Sequence, residues 1–80
     1  MDKNEIFQKL QQIFREVLEN DNLTIYENTK TSTIKGWDSL SHINIIRQIE
    51  KTFDIHFSIG EIVVLKTISD LIKLIQQKIS

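Results

Sequence analysis

The side chains that could carry chemistry lie in Gly36-Trp37-Asp38-Ser39-Leu40 and the helical turn after it. Asp38 stands where a helix N-cap belongs, its carboxylate able to accept the unpaired amides of a first turn, and Gly36 allows a sharp turn just before it. Ser39 then falls at the first helical position, beside the positive end of the helix dipole, where a phosphate attached to its oxygen is favoured. Three readings of this serine compete. It is a capping-region serine without chemistry, which composition alone favours. It is a nucleophile served by His42, three residues on and so on the same helical face. Or it is a covalent handle. Hydrolysis fares worst, because on a helical wheel His42 points near the middle of the buried arc and neither an acid nor oxyanion donors complete a site. His42 and His56 lie fourteen residues apart with no third ligand at suitable spacing, so no metal centre is expected. A core or boundary histidine is the ordinary reading of His42, and a pH-sensing role has only its place near the buried face behind it.

Asp38-Ser39-Leu40, followed at helical spacing by Ile43, Ile46, Ile49, Glu50 and Phe53-Asp54, resembles the signature of the acyl carrier proteins, the phosphopantetheine-binding carriers. The similarity runs over nearly the whole chain, since one helix precedes the motif and a short helix and a closing helix follow it. The resemblance implies an all-α four-helix bundle with a short third helix. It implies 4'-phosphopantetheine joined covalently to Ser39 from coenzyme A, with Asp38 and Leu40 beside it. An acyl or related cargo then rides on the terminal thiol as a thioester, and the protein itself catalyses nothing. The implied partners are a phosphopantetheinyl transferase and acyl-loading and acyl-transferring enzymes, met through Leu40, Ile43, Asn44, Arg47, Glu50 and Lys51. An aminoacyl or peptidyl carrier is the alternative within the class. Outside it stands an unmodified helical interaction module, whose DNA-binding form needs a basic recognition face that Arg47 and Lys51, beside Leu40 and Glu50, do not provide.

Length and composition narrow the rest. Eighty residues suit one domain, 1–80, burying roughly 60–65% of the unfolded chain's surface and leaving little room for an enclosed catalytic cleft. No apolar run approaches the roughly 20 residues that span a bilayer, and Met1-Asp2-Lys3-Asn4-Glu5 is no secretory signal, so a cytoplasmic protein is expected. Without cysteine there is neither a disulfide nor a thiolate metal site, and any thiol must come from a cofactor. Ten basic against eleven acidic residues lack the excess that nucleic-acid or membrane binding needs, and a monomer is expected. Fatty-acid carriers of the family are far more acidic. Here Asn44, Arg47 and Lys51 occupy outward positions on the second helix, which implies partners other than those of general fatty-acid synthesis and a dedicated pathway.

The positioning elements follow from periodicity. Ile6, Phe7, Leu10, Ile13, Phe14, Val17 and Leu18 form an arc of about 140° on a first helix. Asn20-Asp21-Asn22 stops it, and a long ordered loop to Lys35 follows, anchored by Leu23, Ile25, Tyr26 and Ile34. The family usually places an aromatic residue near Thr31 and a leucine near Lys35; Ile34 and Trp37 are expected to anchor the loop instead. A second helix from Ser39 to about Thr52 buries Ile43, Ile45, Ile46, Ile49 and Phe53, leaving Leu40 exposed. Ser58 with Glu61 makes a capping box before Ile62-Val63-Val64-Leu65, a short third helix. Thr67 with Asp70 repeats the device, and Ile68, Leu71, Ile72, Ile75 and Ile79 line one face of the last helix. Trp37 is expected chiefly to pack, with recognition as its second possibility.

Overall fold

The computed structural model describes residues 2–34 and 36–79, and the backbone but not the side chain of Ser39. Four helices, α1 (Lys3–Val17), α2 (Ser39–Phe53), α3 (Ile59–Val63) and α4 (Ile68–Ile79), follow one another, with one 3-10 turn, Thr31–Thr33, between α1 and α2. The expected all-α bundle with a short third helix is what forms. Asp2 caps α1 by accepting the Glu5 amide, and the helix turns Ile6, Leu10, Ile13 and Phe14 inward, with Phe7, Val17 and Leu18 at the margin. Ile45, Ile49 and Phe53 of α2 and Ile68, Leu71, Ile72 and Ile75 of α4 meet them in one core, and Ile46 is buried as well.

Ile43 departs from the expected buried arc of α2, with half of its surface exposed. At 100° per residue it lies about 60° beyond Ile46, between Glu50 and Arg47, whereas the helix seats on its neighbours through Ile45 and Ile49. Among the described residues the five-residue α3 faces that flank across an open trough, and Ile59, Val63 and Val64 stay exposed as well. The third helix also begins and ends earlier than its apolar run, leaving Val64 and Leu65 outside it. Both capping boxes form: Ser58 N–H donates to Glu61 and Glu61 N–H to Ser58 Oγ, while Asp70 N–H donates to Thr67 Oγ1 and Thr67 N–H to Asp70.

The long loop is tied at several points. Arg15 Nε donates to the Leu23 carbonyl at 2.7 Å, and Gln11 accepts the Ile25 amide at 3.1 Å. Farther on, the amides of Ile68 and Ser69 donate to Thr29 and Glu27, and that of Thr31 donates to Lys66, so the loop is pinned to the start of α4. Ile25 and Ile34 are buried as anchors, but Tyr26, expected to be one, is 63% exposed. Ile25 already fills the inward position, and Tyr26 opens a turn in which its carbonyl accepts the Thr29 amide and its own amide donates to Thr29 Oγ1. The leucine position near Lys35 lies outside the described residues.

Candidate functional site

The chain reaches Ser39 through a turn that glycine permits. Gly36 has φ +88°, a left-handed conformation costly for any residue with a Cβ, and the amides of Trp37 and Asp38 donate to Ile34 and Gly36. Asp38 is extended, and its Oδ1 accepts the Ser41 amide at 2.8 Å while its carbonyl accepts that of His42. The Ser41 backbone amide holds the Asp38 carboxyl below the usual carboxylate range, so the residue is an anion at neutral pH. Ser39 is thus the first residue of a capped helix, as the motif implied, while the position of its hydroxyl lies outside the described set.

Trp37 and His42 form a pair that the sequence reading did not join. The indole packs on Phe14 of α1, ring centres 5.2 Å apart, and its Nε1–H donates to His42 Nδ1 at 2.9 Å. His42 is half-buried rather than central to the core, because it lies in the first turns of α2, where Trp37 covers it. Trp37 precedes the N-cap and His42 is the fourth helical residue, the spacing of a hydrophobic staple, so the signal was there to be read. One imidazole nitrogen is occupied by tryptophan and the Asp38 carboxylate by Ser41, so among the described residues no carboxylate is seen to orient His42 as a hydrolytic triad requires. Among the described residues no group of three His, Cys, Asp or Glu could hold a metal ion, and no helix is long and apolar enough to cross a membrane.

The other expected site residues divide. Leu40 is 70% exposed beside Ser39, as the wheel implied. Ile43, Ile46 and Arg47 of α2 face Ile59, Ile62 and Val63 of α3 across an open trough of about 320 Å³. Asn44, Arg47, Gln48 and Lys51 line a second groove, of about 400 Å³, against Glu16 and Val17 of α1. Glu50 is turned toward the α2–α3 connection, where it accepts the Phe57 amide at 2.9 Å and lies 3.5 Å from His56. Behind the trough a void of only about 20 Å³ is bordered by Thr31, Trp37, His42, Ile46, Leu65 and Leu71.

Comparison with known proteins joins this geometry to a family. The family model described as "Phosphopantetheine attachment site" matches residues 8–75. Acyl carrier proteins of Aster yellows witches'-broom phytoplasma (strain AYWB) and Onion yellows phytoplasma (strain OY-M) are 31% and 30% identical over 67 residues, spanning 84% of this chain and 88% of each relative. The solution NMR structure of a holo acyl carrier protein from Geobacter metallireducens superposes with a TM-score of 0.83 at 37% identity, covering 91% of this chain and 84% of that one. Motif, bundle and likeness over most of the length agree, and the chain belongs to the phosphopantetheine-attachment family of acyl carrier proteins.

Proposed function

We propose that Ser39 is the attachment point of 4'-phosphopantetheine, transferred from coenzyme A by a phosphopantetheinyl transferase, and that residues 1–80 act as one carrier unit. When bound, the group supplies the thiol that this chain lacks, and an acyl or related cargo is held there as a thioester. The observation that carries the reading is the start of α2 at Ser39, directly after the capped anion of Asp38 and beside the exposed Leu40. The surroundings suit a phosphodiester. A helix N-terminus favours negative charge, and Asp38 already satisfies the Ser41 amide, which leaves the added phosphate to solvent and to partner enzymes.

Asp38 and Leu40 flank the arm, and Leu40, Ile43, Asn44, Arg47, Glu50 and Lys51 form the contact surface for the transferase and for acyl-loading and acyl-transferring enzymes. Glu50 contributes least, since its carboxylate is engaged by the Phe57 amide. In this reading the protein is a cytoplasmic monomer, a substrate rather than a catalyst, without nucleic-acid or membrane partners, and it serves a dedicated pathway. Incubation with coenzyme A and a broad-specificity phosphopantetheinyl transferase is expected to add the mass of one phosphopantetheine, and Ser39→Ala to abolish the gain while the helical spectrum persists. An unchanged wild-type mass, or labelling that survives in the variant, refutes the attachment site and favours an unmodified interaction module.

A further inference from the structure

We propose that the Trp37–His42 hydrogen bond is a proton-released latch on the Gly36–Asp38 turn, and that His42 is a positioning residue for the modification of Ser39. The second part rests on Ser39 being the attachment point; the first does not. Among the described residues the turn is tied by two backbone bonds around a left-handed glycine, and then by the cap. Its one large side chain is Trp37, whose face lies on Phe14 of α1 and whose tip is fixed by His42 of α2. The indole N–H can only donate, so His42 must accept at Nδ1, which it does as a neutral ring protonated at Nε2. A second proton converts Nδ1 into a donor. Two donors then face each other at 2.9 Å, and the bond is lost.

Among the described residues, few charges surround the imidazole. The trough beside it contains Arg47 and Glu50 of its own helix, and Glu50 is already engaged by the Phe57 amide. From α3 that trough receives only Ile59, Ile62 and Val63. The void on the other side adds Thr31, Leu65 and Leu71, and Asp38, one turn earlier, is occupied by Ser41. Proton uptake by His42 therefore acts chiefly on Trp37. Releasing the indole frees the residues immediately before Ser39 to leave the conformation in which the serine is presented.

Trp37 is the only tryptophan, so one indole resonance and one fluorescence signal report the latch. The expected result is a wild-type indole N–H resonance that moves when the solution is acidified and that stays in place in His42→Asn, whose amide oxygen can accept but does not titrate. His56→Gln should leave the wild-type titration intact. In the transferase assay at high pH, His42→Leu, which keeps bulk but not the acceptor, and Trp37→Phe, which keeps the contact with Phe14 but not the donor, should lower kcat/KM about fivefold, with His42→Asn restored to within about twofold, as expected for one neutral hydrogen bond. Far-UV circular dichroism checks that each variant is folded. An indole signal that titrates equally in His42→Asn overturns the latch, and folded His42→Leu modified at the wild-type rate overturns the positioning role. If wild type gains no mass, the Ser39 assignment has failed and the indole titration alone decides for or against the latch.

Discussion

Replacing Asp38 by Asn separates two properties of one side chain. Asparagine also caps a helix, so the Ser41 amide keeps its acceptor and the thermal midpoint should fall only slightly. The charge, however, is gone. If the anion beside Ser39 is a contact for the transferase, modification of Asp38→Asn should slow about tenfold, the effect of one lost charged contact. Equal rates measured by mass spectrometry would leave Asp38 with capping alone. Asp38 was legible because a cap is a local device: type and position within three residues declare it. The indole of Trp37 was read as packing, which its contact with Phe14 bears out, but its partner was missed. A hydrogen bond from before the cap to the fourth helical residue joins side chains that a wheel, drawn from Ser39 onward, never sets side by side.

Helix starts dominate the element scale. Asp38, Glu61 and Asp70 each accept first-turn or cap amides, and each has its carboxyl held below the usual range, by the backbone of Ser41, of Ser58 with help from Lys78, and of Lys66 and Thr67 respectively. A depressed folded value means that the native state prefers the anion. The stabilisation is complete above the unfolded carboxylate values and is lost as pH falls through the lower folded ones, below about pH 4. Acid should therefore loosen the starts of α2, α3 and α4 over one window. The triple variant Asp38→Asn, Glu61→Gln, Asp70→Asn should show a shallower loss of helical ellipticity there than wild type. A superimposable acid limb would mean that other carboxylates govern it. The inward faces of α1 and α4 were plain in the sequence because each packs along a single stripe. Ile43 and Tyr26 were not, since their exposure depends on how far the neighbouring α3 and the loop extend, which periodicity along one element does not contain.

For the molecule as a whole, the telling feature is a mixed charge pattern around the α2 grooves. Arg47 borders both the α2–α3 trough and the α1–α2 groove, and Lys51 lies in the latter with Asn44. A docking enzyme with a basic patch meets like charge there, which can cost several kcal/mol at an interface. The holo protein is accordingly expected to be a poor substrate for a general ketoacyl synthase, and Arg47→Met with Lys51→Glu to improve it at low salt. Moderate salt should narrow the gap, because exposed charges are screened beyond about 10 Å at 0.1 M. Condensation rates that match at low salt would remove charge as the basis of partner choice.

The void of about 20 Å³ behind Trp37 and His42 has a consequence for time. It has room for a single water, and the walls around it, Ile46, Leu65 and Leu71 among them, would have to part before hydrocarbon could enter. If Ser39 bears the arm as proposed, the open trough is the surface against which an acyl chain would lie, wetted on one side. On the proposed attachment at Ser39, a cargo held that way would meet water, so the lifetime of its thioester would bound the wait for the next enzyme and favour short hand-offs between neighbours.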